Sequence, residues 1–212
     1  MVAMEKNYIC RLTCKTDKNE DFMGDLGEMK PRKLWGYFEE ICRIPRLSKN
    51  EEKIRAYLLE FARNHKLEAR EDSIGNILII REAAAGKENV KTVVLQSHLD
   101  MVGEKNASHP HNWDTDPIIP VIDGKWVSAS GTTLGADDGI GIAAQMAVLT
   151  DPYLQCGRIE CLFTVDEESG MTGAINLKPD FLSGRILLNL DSEDEGILFI
   201  GCAGGIDTQA LL

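Results

Sequence analysis

Short apolar runs of strand length alternate with helical patterns along this chain, and this alternation limits its fold more than any other feature. Four runs are rich in β-branched and other apolar residues, and they cover residues 74–80, 92–96, 158–165 and 185–190. A helical pattern of small residues lies between the second and third runs, at residues 139–149. Strands separated by helices predict an α/β fold, in which a mixed β-sheet is flanked by helices on both faces.

Two amphipathic helices are predicted ahead of the first strand. The first opens at Pro31, has Phe38 on its apolar face and ends at Pro45, because proline cannot continue a helix. The spacing of Ser48 and Glu51 is that of a capping box, in which both side chains satisfy free amides of the second helix. The shorter predicted elements are a strand at residues 125–128, a helix at 171–177 and a strand at 197–202.

Composition limits the domain organisation and the partners. Residues 1–29 are polar and lack a clear period, so we expect a flexible leader there and the folded domain over residues 30–212. The net charge of −11 opposes binding to a phosphate backbone, and we expect no nucleic-acid partner. The sequence has neither an apolar run of membrane-helix length nor a signal-peptide core, which predicts a cytoplasmic protein that binds no membrane. The six cysteines form no CxxC pair and are expected to be free thiols.

Acidic and histidine side chains follow the predicted strands at the point where each strand ends, and another acidic pair precedes the helical pattern at 139–149. The residues are His98 and Asp100, Asp137 and Asp138, Glu167 and Glu168, and Asp191. Ligands of α/β sheets collect outside the carboxyl ends of the strands. Four separate segments are therefore expected to bring carboxylates and an imidazole to the same edge of the sheet.

Each of these motifs alone has an ordinary explanation. A His-x-Asp pair is more often a satisfied surface pair than a metal ligand, adjacent glutamates are usually solvated, and acids before a helix favour its N-terminus. Their convergence is more informative, because several carboxylates at one edge repel one another unless protons or cations neutralise them. A histidine among carboxylates suits zinc, cobalt or manganese better than calcium or magnesium. Two adjacent carboxylates also suit metal-assisted hydrolysis, in which one binds metal and its neighbour takes a proton from water.

At these residues the sequence resembles the co-catalytic metallopeptidases related to glutamate carboxypeptidase, and among them the aminoacyl-histidine dipeptidase (Xaa-His dipeptidase, carnosinase-like) branch. The resemblance rests on four motifs in order, SHLDMV at residues 97–102, GADDGIG at 135–141, TVDEESG at 164–170 and LNLDS at 188–192. Residues 113–117 and 200–206 also resemble that branch. The resemblance covers about residues 30–212 and implies metal-dependent hydrolysis of dipeptides of the Xaa-His or carnosine type.

The resemblance also implies a set of metal ligands. His98 and Asp191 would hold one zinc ion, Asp137 would bridge two zinc ions, and Glu168 would bind the second. Cobalt or manganese could take the place of zinc. The peptide bond between Asp137 and Asp138 would be cis, which is rare for a residue other than proline.

Two further residues would act beside these ligands, Glu167 as the general base and Asp100 as the group that orients His98. Members of the family are longer than this chain, and their second domain forms a lid and often a dimer contact. That lid and dimerisation domain would be absent here, together with the last histidine ligand of the second zinc ion. We therefore expect the 212-residue chain to be a fragment with little activity by itself, and the complete protein to be a homodimer.

Other functions remain open at this point. A related amidohydrolase could use the same centre on N-acyl amino acids, and a non-catalytic relative could bind metal without turning over a substrate. The presence of Glu167 favours an enzyme, because a binding module needs no general base. A purely structural domain with an acidic edge would bind no metal.

Overall fold

The computed structural model describes residues 26–192, 194 and 196–201, so most of the predicted leader lies outside it. Leu26–Glu28 form a single 3₁₀ turn, and the side chain of Leu26 is fully buried in the main hydrophobic core. The packed part of the chain therefore includes residues ahead of the predicted boundary at residue 30. For residues 1–25 the flexible leader stays a prediction.

A five-stranded mixed sheet forms the centre of the structure, which confirms the predicted fold class. The strands are β1 (Glu68–Glu71), β2 (Ile77–Arg81), β3 (Val93–His98), β6 (Ile159–Thr164) and β7 (Ile186–Asn189). They lie side by side in the order β1-β2-β6-β3-β7. Strand β3 pairs in parallel with β6 and β7, whereas β2 is antiparallel to both of its neighbours. The carboxyl ends of β3, β6 and β7 consequently lie at one edge of the sheet.

Strand β2 is an inner strand of the sheet, and its sequence is a continuous apolar run. Ile77 and Ile79 contribute to the main core on one face, and Leu78 and Ile80 contribute to a second core on the other face. Side chains alternate across a strand, so a strand that is covered on both faces needs apolar residues at every position. Strand β1 lacks this signal because it lies at the edge of the sheet and is mostly exposed, so it was not predicted from the sequence.

Helices cover only one face of the sheet among the described residues, so the prediction of helices on both faces is wrong. The long helices are α1 (Arg32–Cys42), α2 (Glu52–Asn64) and α3 (Ala136–Leu149), and two short ones follow β6, α4 (Glu167–Gly170) and α5 (Thr172–Ile175). All three long helices contribute to the main core. Among the described residues, the opposite face is covered by Leu177, Phe181 and Leu182, which lie in a loop after α5. No helix in the described part of the chain is long and apolar enough to cross a membrane.

A separate two-stranded hairpin lies between β3 and α3 in the chain. It consists of β4 (Pro120–Asp123) and β5 (Trp126–Ala129), and Gly124 in the turn has a φ of +61°. The sequence predicted only the second of these strands, at residues 125–128.

The capping box predicted at Ser48 and Glu51 is wrong. Helix α2 begins without a side-chain cap, and the Ser48 hydroxyl instead donates to Oδ2 of Asp100 over 2.7 Å. The Glu51 carboxylate accepts the backbone N–H groups of Lys49 and Asp166, at 3.0 and 2.9 Å. Both side chains therefore bind loop residues near the carboxyl edge of the sheet. They do not cap the backbone N–H groups at the start of α2.

The strand predicted at residues 197–202 is also not found over residues 197–201, and Cys202 lies outside the described residues. Apolar side chains there, such as Ile197 and Leu198, are exposed. An apolar run becomes a strand only where a neighbouring strand accepts its backbone hydrogen bonds. Of the cysteines within the described ranges, Cys42, Cys156 and Cys161 are free thiols, as expected.

Candidate metal centre

The parallel strands bring residues from separate parts of the chain to one edge of the sheet. His98 is the last residue of β3, Glu167 follows β6, and Asp191 lies two residues beyond β7. Asp137 lies in the first turn of α3, where it and Asp138 have non-helical backbone angles. The peptide bond between these two aspartates is cis, as the resemblance implies.

Three of the predicted metal ligands come together as a compact group. Nε2 of His98 lies 2.8 Å from Oδ1 of Asp137 and 3.9 Å from Oδ2 of Asp191. One ligand atom from each of the three residues lies within 4.8 Å of the other two. The imidazole is buried, whereas the Asp137 side chain is 51% exposed and that of Asp191 is 29% exposed. An ion or a substrate can therefore approach the carboxylates from the solvent.

The charges of this group have the arrangement that a cation site requires. Burial favours a low pKa for His98, but hydrogen bonds with Asp100 and Asp137 outweigh burial and raise its pKa to about 10. Burial and the charge of Asp137 raise the pKa of Asp191 to about 6. The added proton on the imidazole thus offsets the negative charge of the carboxylates. A divalent cation would offset it at the same place, and an imidazole with two carboxylates is a suitable ligand set for a transition metal.

Asp100 is fully buried and connects His98 to the loop after β6. Its Oδ1 lies 3.3 Å from Nδ1 of His98 and accepts the N–H of Glu167 over 2.9 Å. Its Oδ2 accepts the N–H of Glu168 over 3.1 Å and the hydroxyl of Ser48 over 2.7 Å. Burial opposes ionisation, but these hydrogen bonds, that of His98 first, lower the pKa of Asp100 to about 2. An ionised carboxylate therefore faces Nδ1 of His98 and leaves Nε2 for the group described above.

Glu167 and Glu168 begin α4 and are less tightly placed. Glu168 is exposed and is not a member of the compact group formed by His98, Asp137 and Asp191. Partial desolvation and the negative charge of Asp137 nevertheless raise the pKa of Glu168. The Glu168 carboxylate is therefore close enough to be repelled by the Asp137 carboxylate. Glu167 is partly exposed. The backbone of both glutamates is held by Asp100, whereas no side-chain hydrogen bond that would fix either carboxylate is found among the described residues.

Asp138 is a buried carboxylate, which was not predicted from the sequence. Its Oδ1 accepts the N–H of Gly141 over 3.1 Å, and its Oδ2 is buried without a hydrogen-bond partner among the described residues. Burial raises the pKa of Asp138 to about 7. A Cβ atom at Gly141 would lie 2.2 Å from Oδ1 of Asp138, so the second glycine after the acidic pair is the sequence signal for this contact.

The supporting residues between α1 and α2 were also missed. Arg46 is buried and donates to backbone carbonyls on both sides of the group, and Ser48 and Glu51 bind the loops after β3 and β6. Apart from the N–H of Lys49 that Glu51 accepts, these partners lie at least 52 residues away in the chain. No local pattern in the sequence could indicate them.

Comparison with known proteins supports the resemblance. The chain is 49% identical over 185 residues to the cytosol non-specific dipeptidase of Escherichia coli, and the match covers 87% of the chain and 38% of that protein. The crystal structure of an aminoacylhistidine dipeptidase from Vibrio alginolyticus matches with a TM-score of 0.80 at 48% identity, over 82% of the chain and 36% of that structure. The aminopeptidase PepT from Bacillus cereus matches with a TM-score of 0.65 at 28% identity, over 76% of the chain and 43% of that structure.

These matches have two consequences. The similar proteins are peptidases by name, that is, hydrolases that act on peptide bonds, and the resemblance inferred from the four motifs is confirmed. The chain spans 38% of the length of the E. coli protein and 36% of the V. alginolyticus structure, so it corresponds to part of each. No family model matches the chain.

Proposed function

Because this chain belongs to the aminoacylhistidine dipeptidase family over the part that it matches, we propose that it forms the metal-dependent centre of an enzyme that hydrolyses dipeptides. The observation that supports the proposal is the group of His98, Asp137 and Asp191, whose ligand atoms lie within 4.8 Å of one another. The names of the two relatives suggest dipeptides as substrates, including those with a C-terminal histidine. We also propose a cytosolic location, which the name of the E. coli relative supports.

Zinc is the metal that suits this ligand set best, with cobalt and manganese as alternatives. His98, Asp137 and Asp191 would hold a first ion, and Asp137 and Glu168 a second. When bound, these ions would supply Lewis-acid chemistry toward the substrate carbonyl and would lower the pKa of water. Because Glu168 lies outside the compact group, the second ion would have fewer ligands from this chain and would bind more weakly.

Glu167 acts as the general base in the proposed reaction. Its N–H is bound to Asp100, which itself lies against His98, so the backbone of the base is held at a constant place relative to the metal ligands. The Glu167 carboxylate takes a proton from the attacking water and delivers it to the leaving amine as the C–N bond breaks.

Asp100 keeps His98 in the orientation that metal binding requires. Its carboxylate at 3.3 Å and its backbone carbonyl at 3.1 Å both face Nδ1 of His98, which places the hydrogen on Nδ1 and frees Nε2 as a ligand. The same carboxylate holds the backbone of Glu167 and Glu168. One buried side chain thus supports a metal ligand and the general base together.

The variants Glu167→Gln and Glu168→Gln form a matched pair that tests this proposal. Zinc content is measured by mass spectrometry after dialysis, and hydrolysis of Xaa-His dipeptides is measured on the chain and on the longer polypeptide where the gene encodes one. Glu167→Gln should keep the zinc of the unchanged protein and lose about 10²–10⁴-fold in turnover. Glu168→Gln should lose zinc from the second site. Unchanged turnover in Glu167→Gln, with zinc still bound, would contradict the role of the base.

The same assay separates the alternative functions. Hydrolysis of N-acyl amino acids, without hydrolysis of any dipeptide, would identify a related amidohydrolase. Stoichiometric zinc without turnover of either substrate class, in the longer polypeptide as well as in the chain, would identify a non-catalytic metal-binding protein. If dialysed protein takes up no zinc, cobalt or manganese, the proposed metal centre is wrong.

A further inference from the structure

Arg46 is a buried cation beside the proposed metal centre, in the segment between α1 and α2. Only 2% of its surface is exposed. Its Nη1 donates to the backbone carbonyls of Leu99 and Asp100, each over 2.9 Å, and its Nη2 donates to the carbonyl of Gly135. None of the salt bridges within the described ranges involves Arg46, so the guanidinium is satisfied by backbone carbonyls.

These carbonyls belong to the two loops that hold the metal ligands. Leu99 directly follows His98, and Gly135 lies two residues before Asp137. One planar guanidinium therefore links the loop after β3 to the loop before α3. The same two loops are also joined farther from the ligands, where the N–H of Thr133 donates to the carbonyl of Glu104 over 2.8 Å and the Thr133 hydroxyl donates to that of Val102 over 2.7 Å. Next to the ligands, they meet at the bonds of Arg46 and at the 2.8 Å contact of His98 with Asp137.

Two glycines leave room for this link. A Cβ atom would lie 2.7 Å from Nη2 of Arg46 if added at Gly135 and 2.6 Å from it if added at Gly139. Gly135 also has a φ of +67°, which favours glycine, whereas Gly139 has no such requirement. The space that Gly139 leaves for the guanidinium is therefore not explained by its backbone conformation.

We propose that Arg46 is a positioning residue that sets the spacing of His98 and Asp137 for metal binding. This inference rests on the proposed function of the centre. A buried cation is costly unless its hydrogen bonds are made, so the guanidinium keeps both loops within reach of its two nitrogen atoms. The backbone of the segment is attached independently, because the N–H of Met101 donates to the carbonyl of Arg46 over 3.1 Å. Replacing the side chain therefore removes the link to Gly135 while this backbone bond remains.

Arg81 provides a matched control at the opposite end of the sheet. Its Nη1 donates to the carbonyls of Val148 and Leu149 over 2.8 and 3.2 Å, and its Nη2 donates to that of Leu154 over 3.3 Å. It pairs with the first residue of β6, whereas the metal centre lies beyond the last. Arg81→Met thus removes the same kind of bonds as Arg46→Met without touching the proposed centre.

The experiment titrates cobalt into the 212-residue chain and records the affinity and the visible absorption spectrum, which reports the geometry of the ligands. Arg46→Met should lower cobalt affinity about tenfold or more and change the spectrum. Gly139→Ala should have the same effect, because its methyl group displaces the guanidinium. Arg81→Met should keep the affinity and the spectrum of the unchanged protein. Equal affinity and spectra in Arg46→Met and Arg81→Met would overturn the inference.

A second measurement needs no metal. The chain contains four histidines, so the imidazole resonances of His98 can be assigned by NMR in the metal-free protein. They should shift in Arg46→Met and not in Arg81→Met. If the unchanged chain binds no cobalt, the proposed function fails, and unshifted His98 resonances in Arg46→Met would overturn the role of Arg46 separately. If Arg46→Met does not fold by circular dichroism, Arg46→Lys replaces it in both measurements, because lysine keeps the charge without the planar fork.

Discussion

Glu160 connects the middle of the sheet to the strand that leads to Asp191, and its replacement tests how the sheet supports the centre. The Glu160 side chain is 1% exposed, and its Oε2 accepts the N–H groups of Ser183 and Gly184 over 2.9 and 3.0 Å. The hydroxyl of Ser183 donates to Oε1. Ser183 and Gly184 are separated from β7 only by Arg185, so these bonds hold the start of that strand close to β6.

The expected cost of Glu160→Gln follows from these bonds. The substitution keeps the shape of the side chain but replaces one acceptor oxygen with an NH₂ group, which faces donors rather than acceptors. At least one bond is lost, and the remaining ones lose the charge that strengthens them. Because hydrogen bonds to charged groups contribute about 1.5–3 kcal/mol each, we expect Glu160→Gln to lower the free energy of unfolding by about 2–4 kcal/mol.

Urea denaturation measures this loss, with Glu82→Gln as the control. Glu82 is 67% exposed and pairs with Nη1 of Arg158 over 2.8 Å, so the same chemical change at this position should cost less than about 1 kcal/mol. A Glu160→Gln protein that is no less stable than Glu82→Gln would refute the reasoning.

The stability of the unchanged protein should also depend on the ionisation of Glu160. Burial opposes ionisation, but the hydrogen bonds from Ser183 and Gly184 outweigh it and lower the pKa of Glu160 below its ordinary value of 4.5. A carboxyl group whose pKa is lower in the folded state stabilises the fold above its unfolded pKa, and this stabilisation is lost as the pH falls through the folded pKa. The loss of stability below pH 4.5 should therefore be smaller in Glu160→Gln than in the unchanged protein.

Three further outcomes are expected. Asp100→Asn should lower zinc affinity about 10–100-fold in a competition with a chelator, since the ionised partner of the histidine ligand is lost. Zinc at 100 times its dissociation constant should raise the free energy of unfolding by about 2.7 kcal/mol, and a chelator should reverse the accompanying rise in Tm. Gly141→Ala should lower the free energy of unfolding by about 1–3 kcal/mol, because its methyl group meets Asp138. Its control is Gly36→Ala, which has nothing within 4 Å of the new Cβ atom and should instead raise the free energy of unfolding by up to about 1 kcal/mol.

The parts of the fold that were predicted from the sequence have strong local signals. The continuous apolar run of β2 is buried on both faces, and β3, β6 and β7 lie within or close to their predicted ranges. The convergence of His98 and Asp191 followed from one rule, that parallel strands end at the same edge, and Asp137 joins them from the first turn of α3. The side chain of Glu168 does not follow from that rule, because an exposed glutamate after a strand has several rotamers and no described hydrogen bond that selects one.

The parts that were predicted wrongly, or missed, depend on contacts with distant residues. The run at residues 197–202 has the composition of a strand, but residues 197–201 have no strand beside them within the described ranges. Strand β1 has the opposite property, since its polar sequence forms a strand because β2 offers it a hydrogen-bonded edge. Pairing with a neighbouring strand therefore decides whether each segment forms a strand. The hydrophobic periodicity of a segment does not show whether such a neighbour exists.

The segment between α1 and α2 explains why the supports of a site are harder to predict than its ligands. Ser48 and Glu51 have the spacing of a capping box, yet Glu51 binds a backbone amide 115 residues away. Arg46 binds a carbonyl 89 residues away. A polar side chain that becomes buried needs a partner wherever the fold offers one, so its local spacing says little about which partner it takes. His98 and Asp191 differ, because their positions at the ends of parallel strands already place them at one edge of the sheet. The formation of this segment and the assembly of the centre should therefore be coupled, since each supplies the hydrogen-bond partners that the other needs.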